Sequence, residues 1–211
     1  MKPIWVDHSL TATYFVVAAA TFKWQQISKS KLMRLIFIDT ETTGISPHHG
    51  HRMIEVACVE MIDGHITGRE FHRLINPQRR IPSAAVNVHG IDDLQLIASP
   101  LFHEIAEELI TFIANGKTVM HNAPFDTAFF ASEFTPMGWS VPGLSHPATV
   151  FDTLKYFRKL QPGKACSLSE LCRQYGLLPA SNEKWHSALT DARMLARLWI
   201  SAGLDICNIR H

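Results

Sequence analysis

The sequence predicts an α/β domain in which a mixed β-sheet is covered by helices. Short apolar runs bounded by turn residues alternate with segments of helical periodicity, and the predicted order is β-β-β-α-β-α-β-α-α. The chain has 211 residues, of which 46% are hydrophobic and 18% charged. This composition is that of a globular chain with one sizeable core. The formal net charge of +1 argues against a polybasic protein that binds nucleic acid without regard to sequence.

Three successive strands open the predicted domain. Residues 35–38 form a continuous apolar run, which is typical of a buried central strand. Residues 52–62 alternate in part, Asp63-Gly64 is a strong signal for a two-residue hairpin, and residues 65–75 supply the return strand. We therefore expect an antiparallel meander.

The remaining predicted elements are four helices and two short strands. The helices span residues 101–114, 125–134, 168–175 and 188–201, and the strands span residues 118–120 and 149–151. Pro124 and Ser167 are helix start signals, whereas Asn115-Gly116 and Gly203 are stop signals. No internal repeat or linker divides this part of the chain.

Residues 1–32 precede the predicted domain, which spans residues 33–205 and is followed by a short tail at 206–211. The apolar stretch at 14–22 is shorter than the roughly 20 residues of a membrane helix, and it fits a secretory signal poorly. Two interpretations stay open. Residues 1–32 are either a native extension, helical or flexible, or an upstream artefact with Met33 as the natural start.

The cysteines predict a cytoplasmic protein that has reduced thiols, and the shortness of the apolar stretch at 14–22 predicts no membrane association. They number four and contain no CxxC pair, so neither a disulfide scaffold nor a zinc site is indicated. They are Cys58, Cys166, Cys172 and Cys207.

Four acidic residues carry most of the information about function. Asp39 and Glu41 follow the first apolar run with a spacing of two, which places both carboxylates on one face of a strand. Asp126 lies in the first turn of a predicted helix, and Asp191 lies in the last helix. Taken alone, the first pair is equally consistent with solvated loop acids. Together, the four predict a shared site for Mg²⁺ or Mn²⁺, because these cations prefer oxygen ligands.

Two such ions about 3.5–4 Å apart would stabilise the attacking and leaving oxygens of a phosphodiester. His186 precedes Asp191 by five residues and is expected in the loop before the last helix. An imidazole titrates near neutrality, so His186 is suited to take a proton from an attacking water. The alternative is an ordinary surface histidine.

Three segments resemble the exonuclease motifs of the DEDD superfamily, and the position of His186 corresponds to its histidine subgroup. These segments are residues 37–44, 121–126 and 186–192. Further segments resemble the epsilon-type proofreading subunits of bacterial DNA polymerase III, and the resemblance covers about residues 34–203. The further segments are residues 50–55, 71–72, 88–91 and 162–168.

The resemblance implies a ribonuclease-H-like fold with a five-stranded mixed sheet flanked by helices. It also implies hydrolysis of nucleic acid from the 3′ end with release of 5′-mononucleotides. His186 corresponds to the general base. The residues that correspond to ligands of two metal ions are Asp39, Glu41, Asp126 and Asp191.

The same resemblance implies the substrate contacts. Thr42 and His89 correspond to residues that touch the terminal nucleotide, and Phe125 to a wall of its pocket, although an aromatic residue there is also consistent with plain core. Asp39, Glu41 and Asp191 are expected to face the substrate as well.

The sequence departs from the family pattern at two places. Ser83-Ala84-Ala85 occupies a stretch where relatives often carry a glutamate. The chain also stops about 20 residues after Asp191, where polymerase-bound relatives continue.

We therefore expect a metal-dependent 3′–5′ exonuclease that acts on a nucleic-acid 3′ end, with DNA favoured, and proofreads for a replicative polymerase α subunit. One alternative is a stand-alone RNA 3′ exonuclease or oligoribonuclease. Another is a non-catalytic module that binds nucleic acid or a polymerase. The complete set of acids disfavours the second alternative.

Overall fold

The computed structural model describes residues 33–205, so the predictions for residues 1–32 and 206–211 lie outside the described residues. Five strands form one mixed sheet. They are β1 (Arg34–Thr42), β2 (Met53–Ile62), β3 (His65–Leu74), β4 (Lys117–Met120) and β5 (Phe151–Asp152). Their order across the sheet is β3-β2-β1-β4-β5. The β1–β2 and β2–β3 pairs are antiparallel, whereas the β1–β4 and β4–β5 pairs are parallel. The predicted meander and the mixed five-stranded sheet are confirmed.

Eight α-helices lie within residues 33–205. They are α1 (Ser83–His89), α2 (Asp93–Leu96), α3 (Phe102–Ile113), α4 (Ala123–Phe134), α5 (Pro142–Ser145), α6 (Thr153–Leu160), α7 (Leu168–Gln174) and α8 (Ala188–Ser201). In this part of the chain no helix is long and apolar enough to cross a membrane.

The alternation of side chains along β1 builds a core on each side of the sheet. Ile36 and Ile38 belong to a buried cluster with residues of α3 and α4. Leu35 and Phe37 point the other way, into a cluster with residues of α6, α7 and α8. Because the alternation continues beyond residue 38, odd-numbered side chains of β1 face α8 and even-numbered ones face α4.

The short helices are where the sequence prediction is incomplete. Helices α1, α2, α5 and α6 were not predicted, because four to eight residues contain too few apolar positions to establish a period. The strand predicted at 149–151 is wrong in its bounds, since only Phe151–Asp152 pairs with β4. Asp152 then caps α6, where its side chain accepts hydrogen bonds from the backbone N–H groups of Leu154 and Lys155.

A buried ion pair ties α4 to the start of β2. Arg52 donates from Nε and Nη2 to the two carboxylate oxygens of Glu133, at 2.8 and 2.7 Å. The Glu133 side chain is only 3% exposed, whereas that of Arg52 is 37% exposed. Glu133 also accepts a hydrogen bond from the backbone N–H of Met53 at 3.2 Å. The pair holds the helix that carries Asp126 against the sheet.

We expect Arg52→Met to lower the free energy of unfolding by about 2 kcal/mol, because it leaves the Glu133 charge buried without its cationic partner. Urea unfolding measures this loss. The matched control is Arg173→Met, since Arg173 pairs with Glu170 on the exposed surface of α7, where such pairs contribute about 0–1 kcal/mol. Equal losses in the two variants would contradict the importance assigned to the buried pair.

Candidate active site

The alternation of β1 directs its two acids toward α8. Asp39 and Glu41 continue the odd-numbered face of β1, and α8 packs against β1 and β2 on that side. Asp191 lies in the first turn of α8 and is 9% exposed. The strand and the helix therefore present three carboxylates to one place, as the spacing of the acids predicted.

The even-numbered face of β1 contacts the fourth acid. Thr40 donates a hydrogen bond from its hydroxyl to Asp126 Oδ1 at 2.7 Å, and both side chains are buried. Asp126 arrives there because β4 runs parallel to β1 and leads directly into α4 at the carboxyl edge of the sheet. The parallel pairing thus brings the second motif next to the first.

The closest group contains Glu41, His186 and Asp191. One ligand atom from each lies within 4.8 Å of the other two. Asp39 and Asp126 are not members of this closest group, but the negative charges of Asp126, Asp191 and Glu41 all act on Asp39. The structure therefore brings all five predicted residues into one region.

The cluster makes its own carboxylates less acidic. Burial, followed by the charges of Asp126, Asp191 and Glu41, raises the pKa of Asp39. Burial and the charges of Asp191 and Glu55 raise the pKa of Glu41 to about 8. Burial likewise raises the pKa of Asp126 to about 7, although the Thr40 hydroxyl opposes this rise. Such crowding is costly for a protein that holds no compensating cation.

Burial also raises the pKa of Asp191 to about 7, although a hydrogen bond from the backbone of His186 opposes this rise. Its Oδ1 is buried and has no hydrogen-bond partner among the described residues. A buried acceptor without a donor is rare and needs an explanation. An oxygen-rich, negatively charged set with an unpaired lone pair fits a hard divalent cation.

Glu55 is a fifth carboxylate at the site, and its role is not predictable from the sequence pattern. It lies opposite Glu41 in the β1–β2 register. Its Oε1 accepts from His72 Nε2 at 2.7 Å and from the Ser187 hydroxyl at 3.2 Å, and its Oε2 accepts from the Ala188 backbone N–H at 3.0 Å. Glu55 therefore caps α8, where a negative charge is favourable. Glu55 and Glu60 are the two acids in an otherwise apolar strand, and a buried acid in such a strand was the signal for a role.

His186 occupies the loop before α8, as predicted. Its side chain is exposed, and its backbone has a φ of 63°, a left-handed conformation in which asparagine, aspartate and histidine are the most frequent residues after glycine. This backbone and the exposed ring together place an imidazole at the solvent side of Glu41 and Asp191.

Of the predicted substrate residues, Thr42 and His89 lie near the carboxylate cluster, and Phe125 precedes Asp126 on α4. The Thr42 hydroxyl donates to the backbone oxygen of Gly44 at 2.7 Å, so its hydrogen is already used. His89 Nδ1 accepts from the Ile91 backbone N–H at 3.0 Å, while its buried Nε2 has no well-formed partner in the described chain. Burial lowers the pKa of His89, and the nearby charge of His186 acts in the same direction.

Phe125 is half-buried, and the centre of its ring lies 5.1 Å from that of the Phe129 ring.

Comparison with known proteins identifies the family. The exonuclease family (RNase_T) matches residues 36–199. The chain belongs to this exonuclease family. It is 39% identical over 168 residues to the DNA polymerase III subunit epsilon of Rickettsia conorii, and this alignment covers 80% of this chain and 73% of that protein. It is 39% identical over 171 residues to the subunit of the same name from Buchnera aphidicola, with 79% and 73% covered.

Solved structures agree with the fold of this exonuclease. The nuclease domain of 3′hExo, a DEDDh family member bound to rAMP, superposes with a TM-score of 0.69 at 15% identity, covering 87% of this chain and 96% of that domain. Exonuclease X in complex with 5′-overhanging duplex DNA gives a TM-score of 0.57 at 24% identity, covering 81% and 94%. The predicted exonuclease family and the resemblance to epsilon-type subunits are confirmed by the family match and the relatives, and these structures confirm the predicted ribonuclease-H-like fold.

The exonuclease is therefore an enzyme that hydrolyses phosphodiester bonds in nucleic acid from the 3′ end. Exonucleases of this superfamily depend in general on divalent cations. The chain supplies the carboxylates that such cations need at one edge of its sheet.

Proposed function

We propose that this exonuclease removes nucleotides from the 3′ end of DNA and proofreads replication as an epsilon-type subunit of a bacterial DNA polymerase III. The observation that carries the chemistry is the convergence of Glu41, His186 and Asp191 within 4.8 Å. The identity of 39% to proteins named DNA polymerase III subunit epsilon supports the biological role.

We assign the ligands of two Mg²⁺ or Mn²⁺ ions to Asp39, Glu41, Asp126 and Asp191. The unpaired Oδ1 of Asp191 and the mutual repulsion of the four acids support this assignment. When bound, the ions would supply Lewis-acid stabilisation of the attacking and leaving oxygens. Thr40 orients Asp126 through the hydrogen bond at 2.7 Å, and Glu55 fixes the helix that carries Asp191.

His186 is the general base in this proposal. Its exposed ring can accept a proton from the attacking water and release it to solvent. His89 and the backbone near Thr42 would hold the terminal nucleotide, where the buried Nε2 of His89 offers a donor without a firm partner. Phe125 would contact the nucleotide from the N-terminal turn of α4. Asp39, Glu41 and Asp191 would contact the scissile phosphate through the ions.

We further propose a polymerase α subunit as the partner and the cytoplasm as the compartment. The polymerase partner follows from the names of the relatives, and the compartment is consistent with three buried free thiols, those of Cys58, Cys166 and Cys172.

The proposal is tested by following matched 5′-labelled DNA and RNA oligonucleotides of one sequence in the presence of Mg²⁺. We expect stepwise shortening of the DNA from its 3′ end, release of 5′-mononucleotides and slower degradation of the RNA. Faster degradation of the RNA would favour the stand-alone RNA exonuclease. Co-elution with a purified polymerase α subunit tests the replicative role, and a failure to co-elute would count against it.

The raised pKa values predict an unusual pH dependence of stability. The carboxyl groups of Glu41, Asp126 and Asp191 have pKa values of about 8, 7 and 7 in the folded protein, against about 4 when unfolded. Between pH 4 and pH 8 the folded state therefore binds more protons than the unfolded state. For this reason the free energy of unfolding falls as the pH rises from about 4 to about 8. In a chelator, we expect a loss on the order of 4 kcal/mol over this range, which corresponds to a single carboxyl group raised by about three pKa units.

Mg²⁺ is expected to reverse the loss, so it should raise the melting temperature more at pH 8 than at pH 5. Thermal unfolding with chelator or Mg²⁺ at both pH values measures this. Asp39→Asn serves as the comparison, because removal of one charge should flatten the pH dependence. A protein whose stability in chelator is constant or rises toward pH 8 would contradict the crowded-carboxylate interpretation.

A further inference from the structure

A cavity of about 600 Å³ lies beside the active site, at the edge of the sheet formed by β5. Side chains from the start of α4, from β5 and from α6 line it. The ones that matter here are Pro124, Phe151, Asp152, Lys155, Tyr156 and Lys159. The mechanism proposed above assigns no role to these six residues.

The cavity lies next to the helix that carries Asp126. Pro124 lies two residues before Asp126, in the first turn of α4. Asp152 accepts a hydrogen bond from the Asn122 backbone N–H at 3.1 Å, and its charge helps to raise the pKa of Asp126. The start of α4 and Asp152 therefore place this cavity close to Asp126.

Two cations face this cavity. Lys155 and Lys159 are four residues apart on α6, which places them on one face of the helix about 6 Å apart along its axis. Neither lysine belongs to an ion pair among residues 33–205. The one acid in the lining, Asp152, is occupied by the backbone N–H groups of Asn122, Leu154 and Lys155.

The rest of the lining is largely apolar and partly aromatic. The ring of Tyr156 is 6.0 Å from that of Phe151, and both side chains are half-buried. Aromatic side chains beside lysines that lack an acidic partner are typical of sites that bind single-stranded nucleic acid. In such sites bases stack on the aromatic rings and phosphates pair with the lysines. A small acidic metabolite or an apolar peptide matches only one of these two features.

We propose that this cavity binds the single-stranded segment immediately upstream of the 3′-terminal nucleotide, with Lys155 and Lys159 on its phosphates and Tyr156 beside a base. The proposal rests on the exonuclease function and adds a second binding region to it. A substrate too short to reach α6 gains nothing from this region, so the contribution depends on substrate length.

The test is the double variant Lys155→Ala/Lys159→Ala, assayed on two substrates. One is an oligothymidylate of about ten nucleotides, which is within the range of single-strand binding sites. The other is the p-nitrophenyl ester of thymidine 5′-monophosphate, which cannot span the distance to α6. We expect KM for the oligonucleotide to rise about tenfold with little change in kcat, and the hydrolysis of the ester to stay as in the wild type.

Salt dependence gives a second readout. Loss of two phosphate contacts should reduce the slope of log KM against log salt concentration by about 1.4, since each contact to a single strand contributes about 0.7. The matched control is Lys117→Ala, because Lys117 is exposed at the start of β4, at the end of the sheet away from the acids. This control should leave both substrates unaffected.

Three results would overturn the proposal, and they are distinguishable. An unchanged KM for the oligonucleotide in the double variant would exclude the upstream contact while leaving the exonuclease function intact. An equal rise in KM for the ester would assign the lysines to the terminal nucleotide instead of the upstream segment. A wild-type protein that hydrolyses neither substrate would refute the exonuclease function, and the upstream contact with it.

Discussion

Asp39→Asn is expected to reduce DNA hydrolysis by about 10³-fold or more without unfolding the protein. Asp39 lies on β1 amid the charges of Asp126, Asp191 and Glu41. A neutral amide of the same shape weakens the hold on a divalent cation, and such cations contribute several kcal/mol to the stabilisation of a phosphodiester transition state. Because the same change relieves repulsion, the chelated variant should melt at the wild-type temperature or above it.

Single-turnover hydrolysis of a 5′-labelled oligonucleotide measures the first effect, and thermal unfolding in chelator measures the second. Asp63→Asn is the matched control. Asp63 lies in the β2–β3 turn with a φ of 48°, which asparagine also tolerates, and it borders the start of β1, away from Asp39. A variant at Asp39 that retains wild-type turnover would refute the metal-ligand assignment.

Part of the catalytic geometry was predictable because it follows from strand alternation. The spacing of two between Asp39 and Glu41 requires one face of β1, and the buried run before them requires a central strand. The Asp126 helix follows a short strand, and only the structure shows that this strand pairs in parallel with β1 and brings Asp126 to the same edge. Local sequence therefore predicted that Asp39 and Glu41 share a face, and the resemblance to known motifs supplied the proposed roles of the acids.

What escaped prediction depends on contacts between distant residues. Glu55 is one of two glutamates in a mostly apolar strand, and only the folded chain shows that it caps α8 across a separation of 133 residues. Glu133 likewise gains its partner, Arg52, only when α4 packs on the sheet. Helix α6 spans eight residues and owes its start to the Asp152 cap rather than to a long apolar period. Such elements are specified by tertiary packing, which periodicity does not report.

His186→Asn is expected to lower kcat by about 10²–10⁴-fold, the usual contribution of a general base, with KM changed little. Asparagine is the informative replacement because His186 has a φ of 63°, and asparagine is among the residues that tolerate this conformation. The loop before α8, and with it Asp191, should therefore keep its position. Steady-state kinetics on an oligothymidylate measure the change, and thermal unfolding should show no loss of stability.

A second replacement separates a base from a merely structural histidine. His186→Gly keeps the left-handed backbone and removes the ring from an exposed position, so added imidazole can diffuse in and accept the proton. We expect imidazole to restore part of the lost turnover in this variant and to leave the wild type unaffected. His103→Asn, an exposed change on α3, should retain full activity. If His186→Asn keeps most of its turnover, or if imidazole has no effect on the glycine variant, the proton acceptor is another group at the Glu41–Asp191 edge.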